Sequence, residues 1–427
     1  MRLLISLFLI LSIAACKKES ENRSPEIRIT APTDGRTYLV GDTVLIEAEV
    51  KDDRLIKSLK LSLFETASKR TAGEVKYFQL NTQQHSFSYE YIIDKKGIQS
   101  GMHYFELMAD DGENQNTAFV SVQIQQKALK SMGLIFIAST PLGLELYKQK
   151  TPSGFEKLVN INAAYADAKI NPVDQQLWLM PKGNSDMVVF DLKSLSIVNQ
   201  IAAPITQSQD AFSLLHYDDR TFFVGSNNGT LKAYNHQFID MFTYKALEQY
   251  SPKLIASDAT YLLIVEQAQQ FNKSRIRLLY RISGAVISSS LLQKNIIGLQ
   301  MISKDRAFLI SKIINGIELL DYDVKRGVSR QLQQLNNSSE VFLSFDKFKN
   351  GGFLFVTNQG MYTFTLPNQL NRFSNRPVEN VNYDKLRDEI LMVNEDTLVV
   401  FDATTLLQKQ SILFPEKLKA ALPWSNR

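Results

Sequence analysis

The residue in this chain best placed for covalent chemistry is Cys16, its only thiol. Arg2 opens a short basic start. Leu3 to Ile13 is an apolar run broken only by Ser6 and Ser12, and Ala14-Ala15 leads directly into the cysteine. A charged start, a short apolar core and small residues before a cut define a secretory signal, and this core is too short to span a bilayer. The rest of the chain holds no thiol to oxidise or mispair outside the cytoplasm, which fits export.

The other chemistry-bearing types are scattered. A transition-metal site needs clustered His or Cys, and the four histidines are His85, His103, His216 and His236. The first two fall on strands, where half-exposure is the expectation. His216 and His236 fall near strand ends of one repeat and could meet, but no third ligand accompanies them. No metal site is therefore expected. Asp52-Asp53 and Asp110-Asp111-Gly112-Glu113-Asn114 are acidic turns that could offer hard oxygen ligands to calcium, although Asp, Asn and Gly also form turns on their own account. No Gly-x-Ser-x-Gly, P-loop or dinucleotide-binding run occurs. The chain carries two tryptophans, Trp178 and Trp424, and no Ser-x-Asp-x-Gly-x-x-Trp box. These absences lead to the expectation of a non-enzymatic protein without a cofactor.

Polar turns remain as candidate binding elements. Pro181-Lys182-Gly183-Asn184-Ser185-Asp186, Gly225-Ser226-Asn227-Asn228-Gly229, Thr357-Asn358-Gln359-Gly360 and Asn394-Glu395-Asp396 occupy equivalent places in four repeats. Lys182, Asn184, Asn227, Asn228, Asn358 and Gln359 are the binding candidates, since amide and amine groups on a rim can hydrogen-bond sugars, cofactor edges or protein backbone. The stretch Glu266 to Ser274 is longer than a hairpin needs, and long loops are more often functional. Asp42-Thr43-Val44 and Asp396-Thr397-Leu398 fit a loose Asp-Thr-apolar O-glycosylation pattern.

The elements that must position these residues read as strands throughout. Apolar content is 44% and charged content 22%, ordinary for a globular protein, and the formal charge is +4. No basic block interleaved with aromatics occurs, so nucleic acid is not an expected partner. Residues 16–24 form a polar tether. Residues 25–127 show period-two alternation, as in Val44, Ile46, Ala48 and Val50 or Leu59, Leu61 and Leu63, with turn signals such as Asp34-Gly35 and Asp111-Gly112 between. Seven or eight short strands in this stretch predict a β-sandwich.

Residues 130–427 repeat. Apolar strands begin at Leu134, Leu177, Phe222, Tyr261, Ala307, Phe353 and Ile390, spaced about 43 residues apart, the period of four-stranded propeller blades. The first copy lacks a preceding strand, which Leu418 to Trp424 could supply from the far end of the chain to close the ring. The fold class expected is all-β: an N-terminal Ig-like β-sandwich followed by a seven-bladed β-propeller.

Four resemblances extend this reading. Ile13-Ala14-Ala15-Cys16 resembles the lipobox of bacterial lipoproteins, which implies removal of residues 1–15 and a triacylated Cys16. Lys17-Lys18-Glu19-Ser20-Glu21 resembles the export tag of surface lipoproteins of the Bacteroidota. The runs Pro32-Thr33-Asp34-Gly35, Val40-Gly41-Asp42-Thr43-Val44 and Tyr104 to Gly112 resemble bacterial Ig-like repeats; the inter-sheet disulfide of antibody domains is absent, since no cysteine is there to make it. Strands such as Val188-Val189-Phe190-Asp191 and Val399-Val400-Phe401-Asp402 resemble those of YVTN-type and quinoprotein-like propellers. Together they imply a cell-envelope lipoprotein held to the outer membrane by lipid. Its expected role is a non-catalytic scaffold for envelope proteins, by analogy with the propeller lipoprotein of barrel assembly. Capture of a small nutrient, a glycan or a corrinoid, for an outer-membrane transporter is the alternative. A propeller-type lyase or glycosidase is third.

Overall fold

A computed structural model describes residues 23–67, 69–93, 98–151, 154–218, 221–268, 273–336, 341–349, 352–365, 369–376 and 378–426. Cys16 and the export-tag-like stretch lie outside them. The chain divides into two compact units, one ending at Ala128 and one starting at Leu129. Among the described residues no helix is long and apolar enough to cross a membrane.

The first unit contains β1 (Glu26–Ala31), β2 (Arg36–Leu39), β3 (Thr43–Glu65), β4 (Lys76–Ile92), β5 (Gly101–Asp110) and β6 (Gln115–Gln125). Hydrogen bonds connect them in the order β1-β3-β5-β6-β2, and β4 pairs with β3. Six strands replace the seven or eight expected, because β3 runs for 23 residues through Asp52-Asp53. Its two halves bury opposite parities, Val44, Ile46, Ala48 and Val50 and then Leu59, Leu61 and Leu63. The pairing with β4 absorbs the change by register shifts between Lys51 and Ile56 and between Ile56 and Ser58. A shift in phase that reads as a turn in the sequence is here an irregularity within one continuous strand. Phe105, Leu107, Val120 and Val122 complete the core with these rows. His103 is buried rather than half-exposed, with Nδ1 3.1 Å from the Gly101 carbonyl oxygen.

The second unit consists of seven four-stranded antiparallel sheets. Blade 2 is typical: Tyr165–Asn171, Gln176–Pro181, Met187–Asp191 and Ser196–Ile201, in that order. Its second strand is buried at every position, and its fourth is mostly exposed. The gradient follows from position. A second strand has a neighbouring blade against each face and reads as a continuous apolar run, whereas a fourth strand is an outer edge. Side chains interlock between blades. Trp178 of blade 2 is fully buried and stacks on Phe222 of blade 3, with centroids 3.9 Å apart and planes within 11°.

Each blade's first strand contacts the first strand of the next, and the seven contacts form a closed circle. Blade 1 takes its first strand from the chain's end. Lys417–Asn426 pairs antiparallel with Lys130–Thr140 and lies between the first strands of blades 7 and 2. The unit is a β-propeller, closed by a C-terminal strand.

Candidate binding face and central channel

Antiparallel pairing places two kinds of connection at one end of every blade: the turn between second and third strands, and the link from the fourth strand to the next blade. Backbone bonds tie them together. Lys182 N–H donates to Ala164 O at 2.8 Å, Ala211 N–H to Gly183 O at 2.8 Å, and Asn227 N–H to Ala211 O at 2.9 Å. Ala246 N–H reaches Gly229 O, and Asn358 N–H reaches Val341 O. The candidate binding residues therefore share one face of the ring.

Their roles on it differ. Lys182, Asn184 and Asn228 are exposed, and Gln359 is half-buried. Asn228 Oδ1 accepts Thr230 N–H at 3.1 Å, so that side chain also shapes its own turn. Asn358 is exposed, but its Oδ1 accepts Val341 N–H at 2.7 Å and pins the link into blade 6. Asn227 is buried. Its Nδ2 donates to Asp210 O at 2.7 Å and Phe212 O at 3.3 Å, and its Oδ1 accepts Lys253 Nζ at 2.6 Å. Burial pushes Lys253 below the usual lysine range, against the pull of Asp210. Asn227 thus brackets blades 3 and 4 and offers little to a ligand.

The same face carries apolar tips that polarity-based reasoning missed. Ile205 and Ile314 are each 96% exposed and Leu142 is 88% exposed, the three most exposed large apolar side chains among the described residues. Leu142 and Ile314 sit in second-to-third-strand turns of blades 1 and 5, and Ile205 in the link between blades 2 and 3. The sequence signal was available: each is a lone large aliphatic residue in a turn, where Gly, Asn and Asp prevail.

The Glu266–Ser274 stretch is shorter as a loop than its sequence implies. The flanking strands extend to Ala268 and from Ser274. Glu266 is fully buried, accepts a bond from the Tyr244 hydroxyl, and has Arg277 Nε at 3.5 Å from Oε1 and Arg275 Nη1 at 3.9 Å from Oε2. Arg275 in turn lies over the Tyr250 ring at 4.3 Å.

First strands of three blades bring charged groups near one another. Lys169 of blade 2, His216 of blade 3 and Asp346 and Lys347 of blade 6 are close enough to feel one another's fields. Lys169 Nζ is 3.1 Å from Asp167 Oδ1. Burial opposes the Lys169 charge, but Asp167 and Asp346 outweigh it and hold the group protonated. Asp346 is raised by burial even though it accepts Tyr383 N–H at 2.8 Å and Lys347 N–H at 2.7 Å. His216 is pushed down to about 3, first by burial and then by the positive charges of Lys347, Lys169 and Arg281. It does not meet His236, which lies in the turn between third and fourth strands at the outer part of the blade.

A pH effect on stability follows. An unfolded histidine titrates near 6.5, so the unfolded chain takes up a proton below that pH while folded His216 stays neutral until about 3. Stability present above pH 6.5 is lost as pH falls through this window. The His216→Gln variant is expected to lose less of its urea midpoint between pH 7 and pH 4.5 than the parent. Equal losses would show that His216 does not contribute.

In the first unit Asp52 and Asp111 are near enough for Asp111 to oppose the Asp52 charge, and the acidic turns hold their own backbone. Asp111 Oδ1 accepts the N–H groups of Glu113 and Asn114 at 2.6 Å each, and Asp110 Oδ1 accepts Gly112 N–H at 2.5 Å. Arg54 Nη1 lies 3.1 Å from Glu113 Oε2, and its charge also favours ionised Asp111. Among the described residues no group of three or more His, Cys, Asp or Glu side chains is arranged to hold a metal.

No protein-family model and no curated protein matches this chain. Among solved structures it is similar to a protein from Lactobacillus plantarum, with TM-score 0.50 and 15% identity over 68% of this chain and 98% of that one. It is similar to a quinonprotein alcohol dehydrogenase-like protein from Bacteroides thetaiotaomicron, with TM-score 0.43 and 13% identity over 94% and 100% of the two chains. It is also similar to the β-propeller domain of Cps50 (Swd1) from Myceliophteria thermophila, with TM-score 0.46 and 11% identity over 59% and 87%. At these identities the likeness concerns fold alone.

Proposed function

We propose that this protein is a lipid-anchored, non-catalytic docking module of the bacterial cell envelope. Cys16 carries the anchor, the first unit is an Ig-like spacer, and the propeller face described above engages another envelope protein, such as an outer-membrane complex. The observation that carries the reading is that the three most exposed large apolar side chains among the described residues, Leu142, Ile205 and Ile314, all lie on that one face. Apolar side chains held almost fully in water cost free energy, and burial of each against a partner contributes about 1.5–3 kcal/mol. Lys182, Asn184, Asn228 and Gln359 add hydrogen-bonding groups to the same face, and interfaces combine apolar and polar contacts.

A combined Leu142→Glu, Ile205→Glu, Ile314→Glu variant is expected to lose partner recovery from detergent-solubilised membranes by tenfold or more, with its melting temperature unchanged. Leu195→Glu, Ile282→Glu, Leu407→Glu on the opposite face is the control. Equal recovery by both variants would overturn the assignment of this face.

The charged groups of the first strands support a second reading, capture of a small polar ligand such as a glycan or corrinoid for a transporter. They support catalysis less well. Asp167 accepts Ala168 N–H and pairs with Lys169, and Asp346 accepts two backbone N–H groups, so both carboxylates are engaged rather than poised to move protons. Turnover of a glycan or ester by the purified protein would overturn the non-catalytic reading.

A further inference from the structure

We propose that Leu142, Ile205 and Ile314 enter the lipid of the membrane that holds the anchor, so that the ring rests on the bilayer by this face. The proposal rests on the docking reading above and adds to it that the docked partner lies in the plane of that membrane. Leu142 is 88% exposed and Ile205 and Ile314 are each 96% exposed, so each is a tip with nothing packed against it. The placement of the tips selects lipid over a protein surface. The centre of a protein interface is a continuous apolar patch with polar groups around it. Here polar turns separate the apolar groups. Leu142 belongs to blade 1, Ile205 to the link between blades 2 and 3, and Ile314 to blade 5. Lys182 stands in the turn between the first two, Asn228 in the turn between the second and third, and Gln359 and Glu395 in the turns between the third and the first. No gap exceeds three of the seven blades, so the tips surround the axis. A flat, fluid apolar layer meets all three at once and needs no matching pocket for each.

The tips also carry nothing that lipid would reject. A charged side chain is costly to place in hydrocarbon, and residues 140–143, 202–209 and 313–315 contain no Asp, Glu, Lys or Arg. The chain outside the described residues ends at the bilayer through Cys16. Its first described part is fixed to the first unit, where Asn116 Nδ2 donates to Pro25 O at 2.7 Å and Asn114 Nδ2 to Arg23 O at 3.4 Å. Residues 17–23 therefore form the whole free tether, and fully extended they span about 25 Å. Only residues 126–129 separate β6 from the first propeller strand, Lys130–Thr140. Both links are short, which keeps the propeller near the membrane that holds Cys16. Three aliphatic side chains bury less than one acyl chain, and a single acyl chain gives only marginal, reversible attachment. The tips thus orient an anchored ring and do not hold an unanchored one.

The test uses the full-length lipidated protein in phosphatidylcholine vesicles whose acyl chains are brominated or not. Bromine quenches tryptophan emission on contact. Ile205→Trp and Ile314→Trp, made separately, are each expected to add blue-shifted emission, of which more than half is lost in the brominated vesicles. Leu407→Trp, at a 68% exposed position on the opposite face, is expected to lose no more than the parent, whose emission comes from Trp178 and Trp424. All three positions are exposed, so the melting temperature is expected to stay unchanged. No quenching at either tip, or equal quenching of Leu407→Trp, would overturn the proposal. Absence of quenching while the Leu142→Glu, Ile205→Glu, Ile314→Glu variant still loses its partner would overturn it and leave the docking reading standing. A parent that does not float with the vesicles would overturn the anchor, and the proposal with it.

Discussion

Deletion of residues 416–427 is expected to abolish stable folding of the propeller. The strand Lys417–Asn426 buries Leu418, Ala420, Ala421 and Leu422 against blade 1 and its neighbours. It also accepts and donates bonds that no other segment can replace. Gln175 Nε2 donates to Ser425 O at 2.6 Å, Trp424 Nε1 donates to Gln175 Oε1 at 2.8 Å, and Asn382 Nδ2 donates to Ala421 O at 3.1 Å. The apolar loss alone is on the order of 5–10 kcal/mol, comparable with the whole stability of a typical domain. The deletion also exposes the inner edge of Lys130–Thr140 and opens the contacts to blades 7 and 2, which invites edge-to-edge aggregation. The checks are thermal melting and recovery of soluble protein. A truncated chain that melts within a few degrees of the parent would show that closure is not needed.

The Cys16→Ser variant is expected to move the protein entirely out of the membrane fraction and to leave residues 1–15 attached. This follows from the proposed lipid anchor. Each buried methylene contributes about 0.8 kcal/mol, so several acyl chains give an attachment that one short chain does not. Phase partition in a cloud-point detergent and intact mass of the purified protein check it. A variant that stays in the detergent phase would sink the lipoprotein reading, and the propeller's docking role would then have to be tested without an anchor.

The all-β class and the propeller were legible in the sequence because both rest on local periodicity. Alternation of period two is fixed by the pleat, and repeats about 43 residues long each build one four-stranded sheet that buries its faces only against neighbours. Even the closing strand could be read, since the first copy lacks a strand and the C-terminus holds an unassigned one. The shared face of the polar turns followed as well, because antiparallel connections alternate ends.

What the tertiary structure alone decided is which side chain meets which. The turn residues Asn227 and Asn228 are adjacent and similar, yet Asn227 is buried as a bracket for Asp210, Phe212 and Lys253, while Asn228 is exposed. His103, by contrast, is buried in phase with Phe105, Leu107 and Ala109, so its inward face was legible in the alternation and the expectation of half-exposure overlooked it. Asp52-Asp53 looked like a turn and lies within β3, because a phase change in burial can be absorbed by a register shift as well as by a reversal of the chain. Lys169, His216 and Asp346 belong to three separate repeats, and only closure of the ring brings their charges together. Sequence period reports the face a residue points to. Contacts across blades depend on how the sheets close around one axis, and that information is held in no single repeat.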